Sequence, residues 1–238
     1  MKSVRITGGK SLKGEVIPQG AKNEALQVLC AVLLTNEKIV INNLPDIIDV
    51  NNLILILKKI GVSVNHLEKG SYAFQTLDIN KKYLESDQFK IDGKALRGSI
   101  MLIGPLLGRF GFGSIPRPGG DKIGRRRLDT HFDGFIKLGA TFNYNKEDYF
   151  YTVKSKNLKG TEILLEEPSV TGTANILMAS VLAEGNTVIY NAACEPYIQQ
   201  LCKMLKSMVA KIRGIGSNYL KIDVVSSLSG TKHKILPD

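Results

Sequence analysis

Apolar positions along this chain alternate between helical spacing and short unbroken runs. After Gly20-Ala21-Lys22-Asn23, the residues Ala25, Leu26, Leu29, Cys30, Val32 and Leu33 recur at three and four, which predicts a helix. Ile39-Val40-Ile41 predicts a strand, and Asn42-Asn43-Leu44-Pro45-Asp46 a turn leading into a helix start. Leu53, Ile54, Ile56, Leu57 and Ile60 form the apolar face of a second helix, Val50 to Ile60, which Gly61 is expected to cap. Val62-Ser63-Val64 and Tyr72-Ala73-Phe74 follow as strands. Ahead of these, Met1 to Val16 reads as two more strands, SVRIT and GEVIP, divided by Gly8, Gly9 and Gly14.

The same order then returns twice. Arg97 to Leu107 reads as a helix, Phe110 to Ile115 as a strand, and Leu128 to Leu138 as a helix closed by Gly139. Strands follow at Ala140-Thr141-Phe142, Tyr149 to Val153 and Ile163 to Leu165. In the third pass, Gly172 to Leu182 is a helix and Thr187 to Tyr190 a strand. A helix from Glu195-Pro196 to about Met208 comes next, then strands at Lys211 to Arg213 and Leu220 to Val224. Helix-end and strand pairs match at Gly61-Val62, Gly139-Ala140 and Val209-Ala210. Units about 70–80 residues apart are too long for a solenoid repeat. They are the size of supersecondary units that pack about a pseudo-threefold axis, an α/β lobe with either its helices or its sheets turned inward.

One connection breaks the symmetry. The strand-to-helix link is NNLPDIIDV in the first unit and NAACEPY in the third, but IPRPGGDKIGRRRLD in the second. The insertion, about half a dozen residues, is not needed by the scaffold, and such loops are more often functional than not. The stretch from Pro116 to His131 gathers Arg117, Asp121, Lys122, Arg125, Arg126, Arg127 and Asp129 around a Pro-Gly-Gly turn. It reads either as a solvated turn or as a site for an anionic ligand, and the comparison of units favours the site.

Composition narrows the ligand. The 238 residues are 43% hydrophobic and 23% charged, with 32 Lys+Arg against 22 Asp+Glu and a formal charge of +10. That balance suits nucleic acid, an anionic membrane or a small phosphorylated molecule. Aromatic poverty (7%, no Trp) and the lack of a zinc-finger or RNA-recognition motif weaken the nucleic-acid reading. No apolar run approaches a membrane span, and MKSVRITGGK lacks the apolar core of a signal peptide. Cys30, Cys194 and Cys202 have no metal spacing; Cys30 and Cys202 sit in helical apolar patterns as small core residues. A reducing compartment, the cytoplasm, is the expectation, with no metal and no cofactor.

Several residues carry candidate chemistry. Lys22 and Asn23 stand at a helix start, where free amides, the helix dipole and a cation suit a phosphate. Arg97 holds the equivalent place in the second unit, and Ser169 with Thr171-Gly172-Thr173 in the third. Those polar helix starts either converge on one face or merely cap their own helices. Arg126 and Arg127 offer guanidinium forks for phosphate or carboxylate. Asp121 acts as an acid only if its pKa is raised, which a bound polyanion would do. Asp129 is suited to accept hydrogen bonds from a base or sugar, and His131 reads as a structural residue on the following helix.

Taken together, GAKNEAL (20–26), LRGSIMLIGPLLGRFG (96–111), PGGDKIGRRRLDTH (118–131), LGAT (138–141), PSVTGTANILMASVLAEGNTVIYNAACEP (168–196) and the terminal LPD carry a resemblance. The chain resembles the enolpyruvyl transferases, and within them the UDP-N-acetylglucosamine 1-carboxyvinyltransferases. The shikimate-pathway branch has a different Lys-bearing helix start and arginine loop and fits second best. The resemblance implies transfer of the enolpyruvyl group of phosphoenolpyruvate to the 3′-hydroxyl of UDP-N-acetylglucosamine, the step that opens peptidoglycan precursor synthesis. It implies Asp121 as the general acid on a closing loop, and Lys22, Asn23 and Arg126 as the phosphoenolpyruvate site, Lys22 being catalytic as well. Arg97, Arg126, Arg127, Leu128, Asp129, Thr130, Ser169 and Val170 would hold the UDP-sugar.

Three departures qualify the resemblance. Most members have Cys where this chain has Asp121, and that Cys is what fosfomycin alkylates; a carboxylate is a far poorer nucleophile, which implies insensitivity. Glu167 stands where many relatives have Lys. The family has two lobes, and this chain matches one of them. Residues 22–238 are expected to form the three-unit lobe, and residues 1–21 a segment that in the family belongs to the other. A truncated or split half-enzyme is therefore the first expectation, with the second lobe as a separate partner chain. A non-catalytic UDP-sugar or anion-binding module, or an interaction module, is the alternative.

Overall fold

The computed structural model describes residues 3–119, 127–147 and 149–238. The first unit comprises α1 (Lys22–Ala31), β1 (Ile39–Asn42), α2 (Ile48–Ile60), β2 (Ser63–Glu68) and β3 (Ser71–Gln75). Two short helices follow, α3 (Lys81–Leu84) and α4 (Asp87–Ala95). The second unit opens with a 3-10 segment at Arg97–Leu102. It continues through α5 (Ile103–Phe110), β4 (Phe112–Pro116), α6 (Asp129–Lys137), β5 (Thr141–Asn145) and β6 (Phe150–Lys154). A lone strand β7 (Glu162–Leu164) precedes the third unit: α7 (Val170–Ser180), β8 (Asn186–Tyr190), α8 (Pro196–Ser207), β9 (Lys211–Arg213) and β10 (Tyr219–Asp223). The chain then forms β11 (Thr231–Lys234).

The repeat is exact in topology. The three sheets run β1-β3-β2, β4-β6-β5 and β8-β10-β9, antiparallel throughout, so each unit places its third strand in the middle. Two sheets gain a parallel outer strand, β11 beside β1 and β7 beside β8. The joints match atom for atom. Asn43 (φ 61°) and Asn191 (φ 55°) follow β1 and β8 in left-handed conformation. Their side-chain amides donate to the carbonyls just beyond the added strands, Asn43 to Ile235 at 2.9 Å and Asn191 to Leu165 at 3.0 Å.

The second helix of each unit also ends in one way. Gly61 (φ 116°), Gly139 (φ 90°) and Val209 (φ 72°) are all left-handed. The next amide in each case, of Val62, Ala140 and Ala210, reaches back to the carbonyl of Leu57, Phe135 and Leu205. This closes the helix and re-aims the chain into a strand.

Helices face inward and sheets outward, which periodicity had left open. α1 is buried from Glu24 through Ala31 and α7 from Gly172 through Ser180, while five of the six residues of β2 are exposed. Glycines let the inner helices touch. A Cβ on Gly104 would strike the carbonyl oxygen of Asn175, and one on Gly134 the side chain of Ile176, so α5 meets α7 backbone to backbone and α6 takes the Ile176 side chain of α7 against its own backbone. Cys30 and Cys202 lie in this core, as the pattern predicts; burial holds both thiols in the neutral form, raising Cys202 to about 12.

The structure departs from the expectations in two places and adds elements in two more. SVRIT and GEVIP are not strands: residues 3–19 form no regular element, and Val4, Ile6, Leu12, Val16 and Ile17 are exposed. A strand exists only with a neighbour for its amides and carbonyls, and none of the described residues supplies one. α3 and α4 were not expected. They begin at Asn80 and Ser86, whose side chains accept from the amides of Tyr83 and Phe89 as caps. β11 was missed because TKHK carries no apolar residue. Arg97–Leu102 is a 3-10 segment rather than α-helix because the Asn175 carboxamide is wedged into the ladder. It accepts from Gly104 N–H at 2.6 Å and donates to Ile100 C=O at 2.8 Å, a pair that would otherwise bond each other.

Candidate functional site

A cleft of about 470 Å³ opens where the first helices of the three units begin. Lys22 and Asn23 enter it from the first turn of α1, Arg97 and Gly98 from the 3-10 segment, and Val170 and Thr171 from the first turn of α7. The polar helix starts therefore converge. Of the two readings left open, convergence holds for Lys22, Asn23, Arg97 and Thr171, and capping for Ser169.

The walls fix these groups in different ways. Lys22 Nζ lies 3.0 Å from Asp49 Oδ2 at the mouth, both side chains partly exposed. The phenol pKa of Tyr197 is raised, chiefly by burial and then by the charge of Glu195, with the Asn23 side chain acting in the opposite direction. Gln27, from the next turn of α1, is 1% exposed, and its Oε1 has no hydrogen-bond partner among the described residues. No side chain caps α1, because Ala21 occupies the cap position. The positive end of that helix consequently faces the cleft beside the Lys22 ammonium.

Behind the wall, His131 is 1% exposed. Its ring bonds Asn175 Nδ2 through Nδ1 at 2.9 Å and Thr171 Oγ1 through Nε2 at 3.2 Å. Burial, reinforced by the charge of Arg97, pushes its pKa down to about 3. The expectation that His131 is structural is consistent with this burial, although its partner Thr171 lines the cleft.

The inserted loop is described only at its two feet. Gly119 packs so closely on Lys94 that a Cβ would strike the Lys94 carbonyl, and the neighbouring Ala95 lines the cleft. The returning strand of the loop reaches the cleft at Leu128. Asp121 and Arg126, the expected acid and anion contact, lie outside the described residues.

Four expected contacts do not line the cleft. Arg127 Nε pairs with Asp129 Oδ2 at 2.7 Å, and its Nη2 lies 3.4 Å from Glu166, so the two groups satisfy each other at the surface. Thr130 borders a neighbouring depression with Asp133 and Glu166. Ser169 caps α7, accepting from Gly172 N–H at 3.2 Å, and Glu167 is exposed. Conversely, Gln27, Asp49 and Tyr197 line the cleft without having been singled out. The repeat held a signal for two of them: Asp49 and Tyr197 are each the second residue of their unit's second helix.

No cluster of His, Cys, Asp and Glu able to hold a metal occurs among the described residues. Nor is any described helix long and apolar enough to cross a membrane. The cleft offers two cations, a helix N-terminus and hydrogen-bonding side chains, a donor set suited to an oxyanion.

Inward helices under three sheets of β1-β3-β2 type define one lobe of the enolpyruvyl transferase fold. The enolpyruvyl transferase NikO from Streptomyces tendae superposes with a TM-score of 0.81 at 17% identity, over 97% of this chain and 53% of that one. An EPSP synthase from Acinetobacter baumannii gives 0.74 at 17% identity, over 97% and 51%. Residues 6–238 match the family model of EPSP synthase (3-phosphoshikimate 1-carboxyvinyltransferase), and the chain belongs to that family. Within it, proteins named UDP-N-acetylglucosamine 1-carboxyvinyltransferase are far closer in sequence. That of Bacteroides fragilis is 58% identical over the whole of this chain and 55% of its own length. The Porphyromonas gingivalis protein is 57% identical over the same shares, and that of Borreliella burgdorferi 46% over the whole chain and 54% of its own. The chain thus spans about half the length of these relatives.

Proposed function

We propose that this lobe contributes the phosphoenolpyruvate and UDP-sugar half of a UDP-N-acetylglucosamine 1-carboxyvinyltransferase, acting with a second lobe that closes the cleft. The observation that carries the reading is the meeting of Lys22, Asn23, Arg97 and Thr171, from all three units, in one cationic cleft. The names of the relatives at 56–58% identity supply UDP-N-acetylglucosamine and the transfer of a carboxyvinyl group.

In this reading the phosphate or carboxylate of phosphoenolpyruvate displaces Asp49 from Lys22. An exposed pair of that kind is worth at most about 1 kcal/mol, so a polyanion competes easily. Asn23 and the α1 amides orient the anion, and Arg97, Leu128, Val170 and Thr171 face the UDP-sugar. Asp121 donates a proton to the methylene carbon while the sugar 3′-oxygen bonds the adjacent carbon, its hydroxyl proton passing to a base of the second lobe. Phosphate then leaves as the new methyl group returns a proton to the Asp121 carboxylate and the double bond re-forms as an enol ether. Arg126, Arg127, Asp129, Thr130 and Ser169 are assigned supporting contacts that form as the loop closes on ligand. Residues 1–21 are assigned to the other lobe. The product feeds peptidoglycan precursor synthesis, and the cytoplasm is the site of action.

Phosphate release with both substrates tests this, using the chain alone and the chain mixed with a second lobe from the Bacteroides fragilis relative. Release in the mixture only is expected. Release by the lone chain removes the need for a second lobe, and no release in any arm, with no binding of either substrate, overturns the reading. Fosfomycin is expected to leave the active mixture uninhibited over time, because Asp121 offers it a carboxylate instead of a thiolate.

A further inference from the structure

The hydrogen bonds behind the cleft wall have a direction that the geometry fixes. Asn175 is completely buried, and its carboxamide has no rotational ambiguity. The group 2.6 Å from Gly104 N–H must be the oxygen, since a backbone amide only donates. The group 2.8 Å from Ile100 C=O must be the nitrogen, since a carbonyl only accepts. The second Nδ2 hydrogen then points at His131 Nδ1, 2.9 Å away, which has to accept it. A ring whose Nδ1 accepts is neutral and carries its proton on Nε2. That proton is donated to Thr171 Oγ1 at 3.2 Å. A charged imidazolium would set one N–H against another. Burial beside Arg97 opposes that charge independently.

Thr171 completes the chain. Its oxygen receives the histidine proton, so its own hydroxyl hydrogen is directed elsewhere. Thr171 Oγ1 has no other hydrogen-bond partner among the described residues, and the residue lines the cleft. We propose that Thr171 is a donor-only ligand contact in the cleft, and that His131 is the positioning residue that fixes its hydroxyl through the relay Gly104–Asn175–His131–Thr171. The ligand must present an acceptor oxygen to it; resting on the functional reading above, that oxygen belongs to UDP-N-acetylglucosamine. An unanchored threonine hydroxyl both accepts and donates, and would admit a ligand N–H or O–H at this point; the relay excludes one.

The test uses the 238-residue chain. Nitrogen-detected NMR of His131 at neutral pH reads its tautomer directly, and UDP-N-acetylglucosamine is titrated into wild type, Thr171→Ser and Thr171→Val. The Nε2–H tautomer is expected. Thr171→Ser keeps wild-type affinity, and Thr171→Val loses roughly fivefold to tenfold, the worth of one hydrogen bond. The His131 Nε2–H resonance moves on ligand addition in wild type and Thr171→Ser but not in Thr171→Val, a response that mere packing would not produce. A urea midpoint for each variant separates lost contact from lost fold. A charged ring, an Nδ1–H tautomer, or wild-type affinity in folded Thr171→Val overturns the inference and leaves the functional reading standing. A wild-type chain that keeps the Nε2–H tautomer yet binds no UDP-sugar, alone or mixed with the second lobe, overturns the functional reading and the ligand role of Thr171 together.

Discussion

At the scale of single residues, His131 makes the fold sensitive to acid in a defined window. Its pKa is about 6.5 unfolded and about 3 folded, so the unfolded chain binds the proton first as pH falls. Its contribution is intact above 6.5 and is lost progressively down to about 3. The loss approaches about 1.4 kcal/mol per pH unit for one fully buried group. Urea unfolding of wild type and His131→Gln from pH 7 to 4 checks this: the gap between them should narrow as pH falls, and a constant gap refutes it. Residues such as Lys22, Asn23 and Arg97 were legible in the sequence because each stands at a helix start whose periodicity announces it. Gln27 and Tyr197 were not, since a glutamine inside an apolar helix and a tyrosine after a proline look like ordinary packing until three units meet. Arg127 and Asp129 show the opposite difficulty. Their charge drew the eye, yet among the described residues they pair with each other.

At the scale of elements, the left-handed residue ending each second helix is the feature with the clearest energetic consequence. Gly61 and Gly139 accept that conformation without cost, whereas Val209, β-branched and more than half exposed, does not. Val209→Gly is expected to stabilise the chain by about 1 kcal/mol, the left-handed penalty less the entropy glycine adds to the unfolded state. Thermal or urea unfolding measures it, and a destabilised variant would show that the strain is not there. The main helices and the sheet strands of each unit were readable because their apolar spacing is internal to the element. β11 was not, because a polar strand is specified by its neighbour: Ile39–Asn42 offers a free edge and Asn43 a side-chain anchor. The segment Arg97–Leu102 departs from its expected α-helix for a related reason. Its hydrogen bonding is set by Asn175, a residue far along the chain, and no local pattern carries that information.

At the scale of the whole molecule, the threefold repetition was visible in the sequence, but which layer faces inward was not, since both helices and strands carry apolar residues. Burial of α1, α5 and α7 on nearly every side decided it, and glycines 104 and 134 mark where it happens. The largest misreading, residues 3–19, has the same root as the success: strand-like alternation specifies a face, not the sheet that the face must join. The pairing of β1 with β11 also sets an order in time. Unit three closes its own sheet within residues 162–223, whereas the first unit waits for residues 228–236. Those residues bond Thr35 and Asn43 across 193 and 192 positions, and they seat Glu24, two residues beyond Lys22, against His233 and the Leu236 amide. Closing so long a loop is slow compared with local pairing. Pulse-labelled refolding should therefore protect the amides of Thr187–Tyr190 before those of Ile39–Asn42, and simultaneous protection would contradict it. On the ribosome, the helix that presents Lys22 has its seat completed only after more than two hundred further residues have followed it out.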